Sequence, residues 1–142
     1  MAELNFTEKE LENRETMPWK DERCEAITGG ENKNRFLLYQ LKYSMMNADR
    51  IDIIVSFLME SGVRMLLKDL QRALERGTRI RILTGNYLGI TQPGALYLIK
   101  DALGDQIDLR FYKEKERSFH PKAYIFHKKE FGEIYIGSSN VS

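Results

Sequence analysis

Two short clusters in this sequence carry side chains suited to holding and attacking a phosphate. The first is the run Ser118-Phe119-His120-Pro121-Lys122, which continues as A-Y-I-F-H. The second, Gly137-Ser138-Ser139-Asn140, is a turn of small hydroxyl and amide donors that begins fifteen residues after Lys122. His120 and Lys122 are two apart among extended-type residues. Side chains of a strand alternate faces, so the two are predicted to point the same way, roughly 6–7 Å apart. An imidazole can attack phosphorus, and an ammonium beside it can neutralise the phosphate oxygens. Each feature also has a plain structural reading. His120 would be a surface histidine beside a proline, Lys122 a solvated strand lysine, and Gly137–Asn140 an ordinary β-turn, for which these residues are favoured. The Lys122 partner of His120 and the Gly-Ser-Ser-Asn turn together argue for the chemical reading.

The pair His-x-Lys followed by Gly-Ser-x-Asn resembles the signature of the phospholipase D superfamily. Three longer stretches, V-S-F-L-M-E-S-G-V, R-I-L-T-G-N-Y-L-G-I-T-Q-P and S-F-H-P-K-A-Y-I-F-H, resemble the phospholipase D-like module at the start of large bacterial DEAD/DEAH-box helicases of restriction or DNA-repair type. The similarity covers roughly residues 33–142. It implies that His120 is the nucleophile that forms a phosphohistidine, that Lys122 and Asn140 bind the non-bridging oxygens, and that Ser138 or Ser139 assists. It also implies that no metal or other cofactor is needed, the charge coming from lysine. In the superfamily a second motif histidine protonates the leaving oxygen, and this chain holds one copy of the motif. The resemblance therefore implies either a two-fold dimer or a second copy elsewhere in a longer chain. The family pattern has an aspartate five residues after the lysine, where this sequence has His127. Alternation turns position 127 away from 120 and 122, so His127 is expected to be structural.

The elements that must position these residues follow from periodicity. Residues 33–47 are predicted helical, with Leu37, Leu38, Leu41 and Met45 on one face. The run I-D-I-I-V-S-F-L over 51–58 suggests a strand buried on both faces. Ser61 is the expected N-cap of the next helix, whose stripe is Val63, Leu66, Leu67, Leu70 and Leu74 and whose end is Gly77. Residues 79–84 are a second strand, which makes a right-handed βαβ unit. Gly85–Gln92 is a loop, Pro93 opens a helix that Gly104 closes, and 107–112 is a third strand. Phe119–His127 and Glu133–Ile136 are two strands joined by a turn. The fold class is α/β, a mixed and largely parallel sheet flanked by helices, in a phospholipase D-like domain over 33–142. A charged arm occupies 1–32. Because the sequence stops two residues after Asn140, the domain or a further one is expected to continue past Ser142. Ser56, Thr84 and the loop Gly85–Gln92 follow strand ends. In open α/β sheets ligands sit at the carboxyl ends of strands, so this loop is expected on the same edge as His120.

Composition narrows the function classes. A single cysteine, Cys24, excludes an internal disulfide and a multi-cysteine zinc site. No apolar run approaches the roughly 18 residues of a membrane span, and no signal-peptide pattern is visible, so a cytoplasmic setting is expected. The net charge of +1 hides an asymmetry: residues 1–32 carry −5 and residues 33–142 carry +6. The motif-bearing part is mildly basic, which is compatible with a polyanionic substrate; the resemblance implies DNA. Arg117 is a candidate substrate contact, and Lys113, Lys115, Lys128 and Lys129 are expected to line the approach with it. No G-x-x-x-x-G-K-[ST] loop is present, so ATP hydrolysis is not expected of this chain. Three functions compete: a metal-independent nuclease, a non-catalytic module that docks on DNA phosphate, and, last, a lipid phosphodiesterase.

Overall fold

The computed structural model describes residues 36–113 and 116–141. The expected arm over 1–32 lies outside them, as does Lys115. Leu41–Ser142 form one compact unit, and the remainder of the chain, Met1–Gln40, is a separate one. The elements in order are α1 (Leu37–Met46), β1 (Arg50–Val55), α2 (Glu60–Glu75), β2 (Arg79–Thr84), α3 (Pro93–Leu103), β3 (Ile107–Phe111), β4 (Lys122–His127) and β5 (Gly132–Ile136), with a 3-10 turn at Tyr87–Gly89. The five strands make one sheet in the order β3-β2-β1-β4-β5. β1, β2 and β3 are parallel, while β4 runs antiparallel to both β1 and β5. The α/β class and mixed sheet match the sequence reading.

This topology places the strand ends that matter. Two crossovers of the same hand step outward from β1 to β2 to β3, which puts α2 and α3 on one face of the sheet. The chain then returns across the sheet and enters β4 on the far side of β1, in the opposite direction. The start of β4 therefore lies on the edge where the parallel strands finish, with Lys122 opposite Val55 and Val55 opposite Thr84. The helix-covered face carries Ile51, Ile53 and Val55 of β1, Ile80 and Ile82 of β2, and Tyr124 and Phe126 of β4, all buried. Val63, Leu66, Leu70 and Ala73 of α2 and Ala95, Ile99 and Leu103 of α3 pack onto it. The residues of α1 from Leu41 on join the same side. Ser44 Oγ hydrogen-bonds Tyr135 Oη at 2.9 Å, Lys42 meets Asp69 of α2 at 3.0 Å, and Arg76 donates to the Met45 carbonyl.

The first strand ends at Val55 and not at residue 58, and two further boundaries differ from the sequence reading. α2 begins at Glu60, so Ser61 sits inside the first turn and does not cap it; the N-cap is Met59. Its side chain makes no capping hydrogen bond, and the acceptor comes from a distance, Gln92 Oε1 taking the Glu60 N–H at 2.7 Å. The fourth strand starts at Lys122, not Phe119. Pro121 lacks an N–H to give to the ladder, so pairing begins only after it. The end of α2 is as expected. Gly77 adopts φ +87°, its N–H bonds the Leu74 carbonyl, and Thr78 N–H bonds the Ala73 carbonyl.

The other face of the sheet is charged toward β2 and β3 and apolar toward β5, where Ile134 and Ile136 are 62% and 82% exposed. Its centre is Asp52, buried although it is charged. Arg81 grips it from β2 with Nε to Oδ1 at 2.6 Å and Nη2 to Oδ2 at 2.9 Å. Arg50 Nε approaches Oδ2 at 3.3 Å, and His127 Nε2 donates to Oδ2 at 2.8 Å. His127 thus lies on the face opposite Lys122, with a structural partner, as alternation predicts. The Arg81 guanidinium, opposed by burial and helped by His127, holds the Asp52 carboxyl below its ordinary 3.8. A depressed carboxylate stabilises the fold fully above its unfolded pKa, and that contribution drains away as pH falls through the folded value. Replacement Asp52→Asn is expected to lower the unfolding free energy by about 1–3 kcal/mol near pH 7, since it leaves two guanidinium groups without their carboxylate. The difference from wild type should shrink as pH falls below the ordinary carboxylate value of 3.8. Urea denaturation at pH 7 and pH 3 checks both; equal stability at pH 7 would show that the cluster contributes nothing.

Candidate active site

Lys122, the first residue of β4, points to the helix-covered side and is only 8% exposed. A buried ammonium needs acceptors. Lys122 Nζ donates to Ser56 Oγ at 3.2 Å and to the His120 carbonyl at 3.2 Å, and it lies 2.9 Å from His120 Nε2. An ammonium can only donate, so in this contact Nε2 is the accepting nitrogen and the imidazole proton sits on Nδ1. His120 is not in the strand, contrary to the sequence reading. It belongs to the exposed segment before Pro121, and the two side chains meet because the lysine reaches back to the histidine.

Ser56 follows β1 and is fully buried. Each of its polar atoms ties down a different segment. Its N–H donates to Asn140 Oδ1 at 3.0 Å, its carbonyl accepts the Tyr87 N–H at 3.4 Å, and its hydroxyl donates to the Pro121 carbonyl at 3.1 Å while accepting from Lys122. Asn140 Oδ1 takes the Phe57 N–H as well, at 3.2 Å. With its oxygen committed to two backbone donors, the Asn140 amide is oriented, and Nδ2 keeps both protons without a partner among the described residues. The segment that carries Asn140 is led back from the sheet edge by Gly137 N–H bonding the Lys122 carbonyl, and by Val141 bridging Leu58 and accepting the Met59 N–H. Tyr124 Oη adds a bond to the Ser139 carbonyl at 2.9 Å, and its burial pushes the phenol pKa upward.

The loop Gly85–Gln92 lies on the same edge as His120, as expected. The Tyr87 ring packs on the His120 imidazole with centroids 4.3 Å apart and planes tilted by 45°. Phe119 stacks on Tyr112 at 4.7 Å, and its Cδ1 comes so near Gly85 that a Cβ there would stand 2.8 Å away.

His120, Lys122 and Asn140 are thus brought together through Ser56. Ser138 and Ser139 are exposed, and their hydroxyls make no hydrogen bond among the described residues; Ser139 contributes its carbonyl to the frame. Arg117 and Lys113 are exposed on the segments leading into and out of the Tyr112–Phe119 stack. The expectation that Lys128 and Lys129 line the approach is not met. They follow the last residue of β4, about 17 Å of strand away from Lys122. There Lys128 pairs with Glu133 at 3.3 Å and covers the Phe131 ring. Counting charges along the sequence could not separate the two ends of a strand. Ser56 and Tyr87 carry the most contacts that the motif reading did not assign. The signal for Ser56 was a hydroxyl inside an otherwise apolar run; for Tyr87 there was only its place after a strand end.

Among the described residues no group of three or more His, Cys, Asp or Glu side chains converges to hold a metal, and no helix is long and apolar enough to cross a membrane. The arrangement supplies an accepting imidazole nitrogen, an ammonium beside it and an oriented amide donor, which together suit a tetrahedral oxyanion. Residues 41–142 match the protein family described as cardiolipin synthase, PLD-like domain. No curated protein matches the chain. Replacing Ser56 by Ala removes an acceptor from a buried ammonium and a donor from the Pro121 carbonyl. It is expected to lower the unfolding free energy by about 1–3 kcal/mol. Urea denaturation of Ser56→Ala would show no change if these bonds were formed equally well by water.

Proposed function

Because the chain belongs to the phospholipase D superfamily, we propose that it cleaves phosphodiester bonds in nucleic acid, DNA in the first instance, with His120 as nucleophile. The observation that carries this reading is the 2.9 Å contact between Lys122 Nζ and His120 Nε2. In the resting site the ammonium occupies the lone pair of Nε2. A phosphate oxygen arriving beside Lys122 takes that hydrogen bond and releases the lone pair to attack phosphorus. The P–N bond forms as the bond to the leaving oxygen breaks. Lys122 and Asn140 Nδ2 hold the non-bridging oxygens, and water then cleaves the phosphohistidine and restores the imidazole. Lys122 supplies the positive charge, so the proposed reaction proceeds in EDTA.

The leaving oxygen needs a proton. His127, the only other histidine in the sequence, is on the opposite face and bound to Asp52. The donor is therefore assigned to a second copy of the motif, from a two-fold partner that brings its own His120 across the axis or from elsewhere in a longer chain. The resemblance of three stretches to helicase-associated modules supports a place in a DNA helicase or a restriction or repair protein. The single copy of the motif favours one second reading, in which the same pocket docks on a backbone phosphate without cutting it. The departure from the family pattern at His127 weighs less. Position 127 faces away from the pocket whatever residue stands there.

The test is cleavage of single-stranded DNA, duplex DNA and phospholipid vesicles in EDTA, by wild type and His120→Ala. Loss of DNA cleavage by more than about a thousandfold in His120→Ala is expected, with a fall of about a hundredfold or more in Lys122→Met. DNA binding without cleavage would establish the docking reading, and turnover of lipid alone would move the substrate to the lipid class that the family description names. DNA affinity should fall with salt at a logarithmic slope of about −0.9 per phosphate contacted on duplex. Mixing His120→Ala chains into wild type is expected to reduce activity faster than linearly; a linear fall would show that one chain suffices.

A further inference from the structure

We infer that Tyr87 is a positioning residue for His120, its ring fixing the imidazole in the orientation that aims Nε2 at the Lys122 ammonium. The inference rests on the reading of His120 as nucleophile. A reactive histidine ordinarily has its second ring nitrogen held by a carboxylate or a carbonyl, which sets both tautomer and orientation. Here Nδ1 has no hydrogen-bond partner among the described residues, and Nε2 meets only Lys122. A single hydrogen bond leaves the ring free to swing about it. The remaining restraint is the Tyr87 ring, 4.3 Å away between centroids.

The loop around Tyr87 is built to hold that ring still. Tyr87 N–H bonds the Ser56 carbonyl, which connects it to the residue that accepts from Lys122. The buried Thr91 closes the loop from behind: its hydroxyl donates to the Gly85 carbonyl and accepts the Leu58 N–H, and its own N–H bonds Asn86 Oδ1. Gln92 N–H bonds the Leu58 carbonyl. At the tip, Leu88 takes a left-handed conformation with φ +54° and is 78% exposed. That conformation is unfavourable for a leucine, and its side chain recovers little by burial. The turn that incurs this cost is the one that presents Tyr87 to His120. Packing on the other side of the segment, Phe119 against Gly85 and Tyr112, holds the backbone of His120 but not its χ angles. Tyr87 Oη makes no hydrogen bond among the described residues, so the ring and not the hydroxyl is the working part.

The sequence has two histidines, so imidazole NMR of the full chain is readable, with His127→Gln assigning the pair. In wild type the His120 carbon-bound protons should be displaced by the Tyr87 ring current. The displacement should persist in Tyr87→Phe and vanish in Tyr87→Leu. In the cleavage assay, Tyr87→Phe should stay within about twofold of wild type. Tyr87→Leu should lose about ten- to a hundredfold in kcat with KM little changed, since a misaimed nucleophile costs rate more than binding. A thermal melt of each variant separates a loosened fold from a loosened ring. His120 protons at the same position in Tyr87→Leu and wild type would overturn the inference, and so would unchanged kcat in a folded Tyr87→Leu when His120→Ala is inactive. If His120→Ala retained full activity, the nucleophile assignment would fail instead, and the ring-current comparison alone would decide whether Tyr87 orients the imidazole.

Discussion

A lysine ammonium almost wholly removed from water at the end of a strand is the constraint around which this domain is arranged. Lys122 cannot remain charged there without acceptors, and three come from two separate places: the Ser56 hydroxyl after β1, and the carbonyl and ring of His120. Satisfying the lysine therefore fixes the relation between the first strand, the segment before the fourth and the imidazole. The same contacts leave the charge partly unneutralised, because among the described residues no carboxylate pairs with it. A site that holds an uncompensated ammonium beside donors, with an open approach at His120, is preorganised for an anion before the anion arrives.

Ser56 extends this arrangement outward. A buried serine spends its N–H, carbonyl and hydroxyl on Asn140, Tyr87 and Pro121, so three loops that are distant in sequence share one anchor. The orientation of the Asn140 amide follows from this, as does the register of the loop that carries Tyr87. None of these bonds is strong alone, each contributing about 1 kcal/mol net. Their effect is geometric. They convert a set of exposed loop tips into positions that do not drift relative to one another, which is what a displacement at phosphorus demands.

The two faces of the sheet do different work along the same strand. On β4, Lys122, Tyr124 and Phe126 face the helices, while His127 faces the other way and joins Arg50 and Arg81 around Asp52. The residue that departs from the family pattern is thus on the side of the sheet opposite Lys122. It contributes to holding β1, β2 and β4 in register, and the site on the opposite face inherits that register.

Much of this was legible before any coordinates. Apolar periodicity located the five strands and three helices of the described residues, and Gly77, Pro93 and Gly104 marked their boundaries, because burial and φ preferences are local properties. The spacing of His120, Lys122 and Asn140 pointed to a phosphate chemistry, and strict alternation turned His127 away from it. Other features were decided only by tertiary structure. α2 is capped by Gln92 and not by Ser61, since the acceptor arrives from a loop 32 residues later. Pro121 cut the fourth strand short, so His120 reaches Lys122 from a loop. Lys128 and Lys129 fell at the far end of a strand whose near end holds the site, because charge in sequence says nothing about direction across a sheet. Ser56 and Tyr87 became neighbours of His120 only because β4 enters antiparallel beside β1. That one topological choice brings the ends of two parallel strands and the start of a third segment to a common edge.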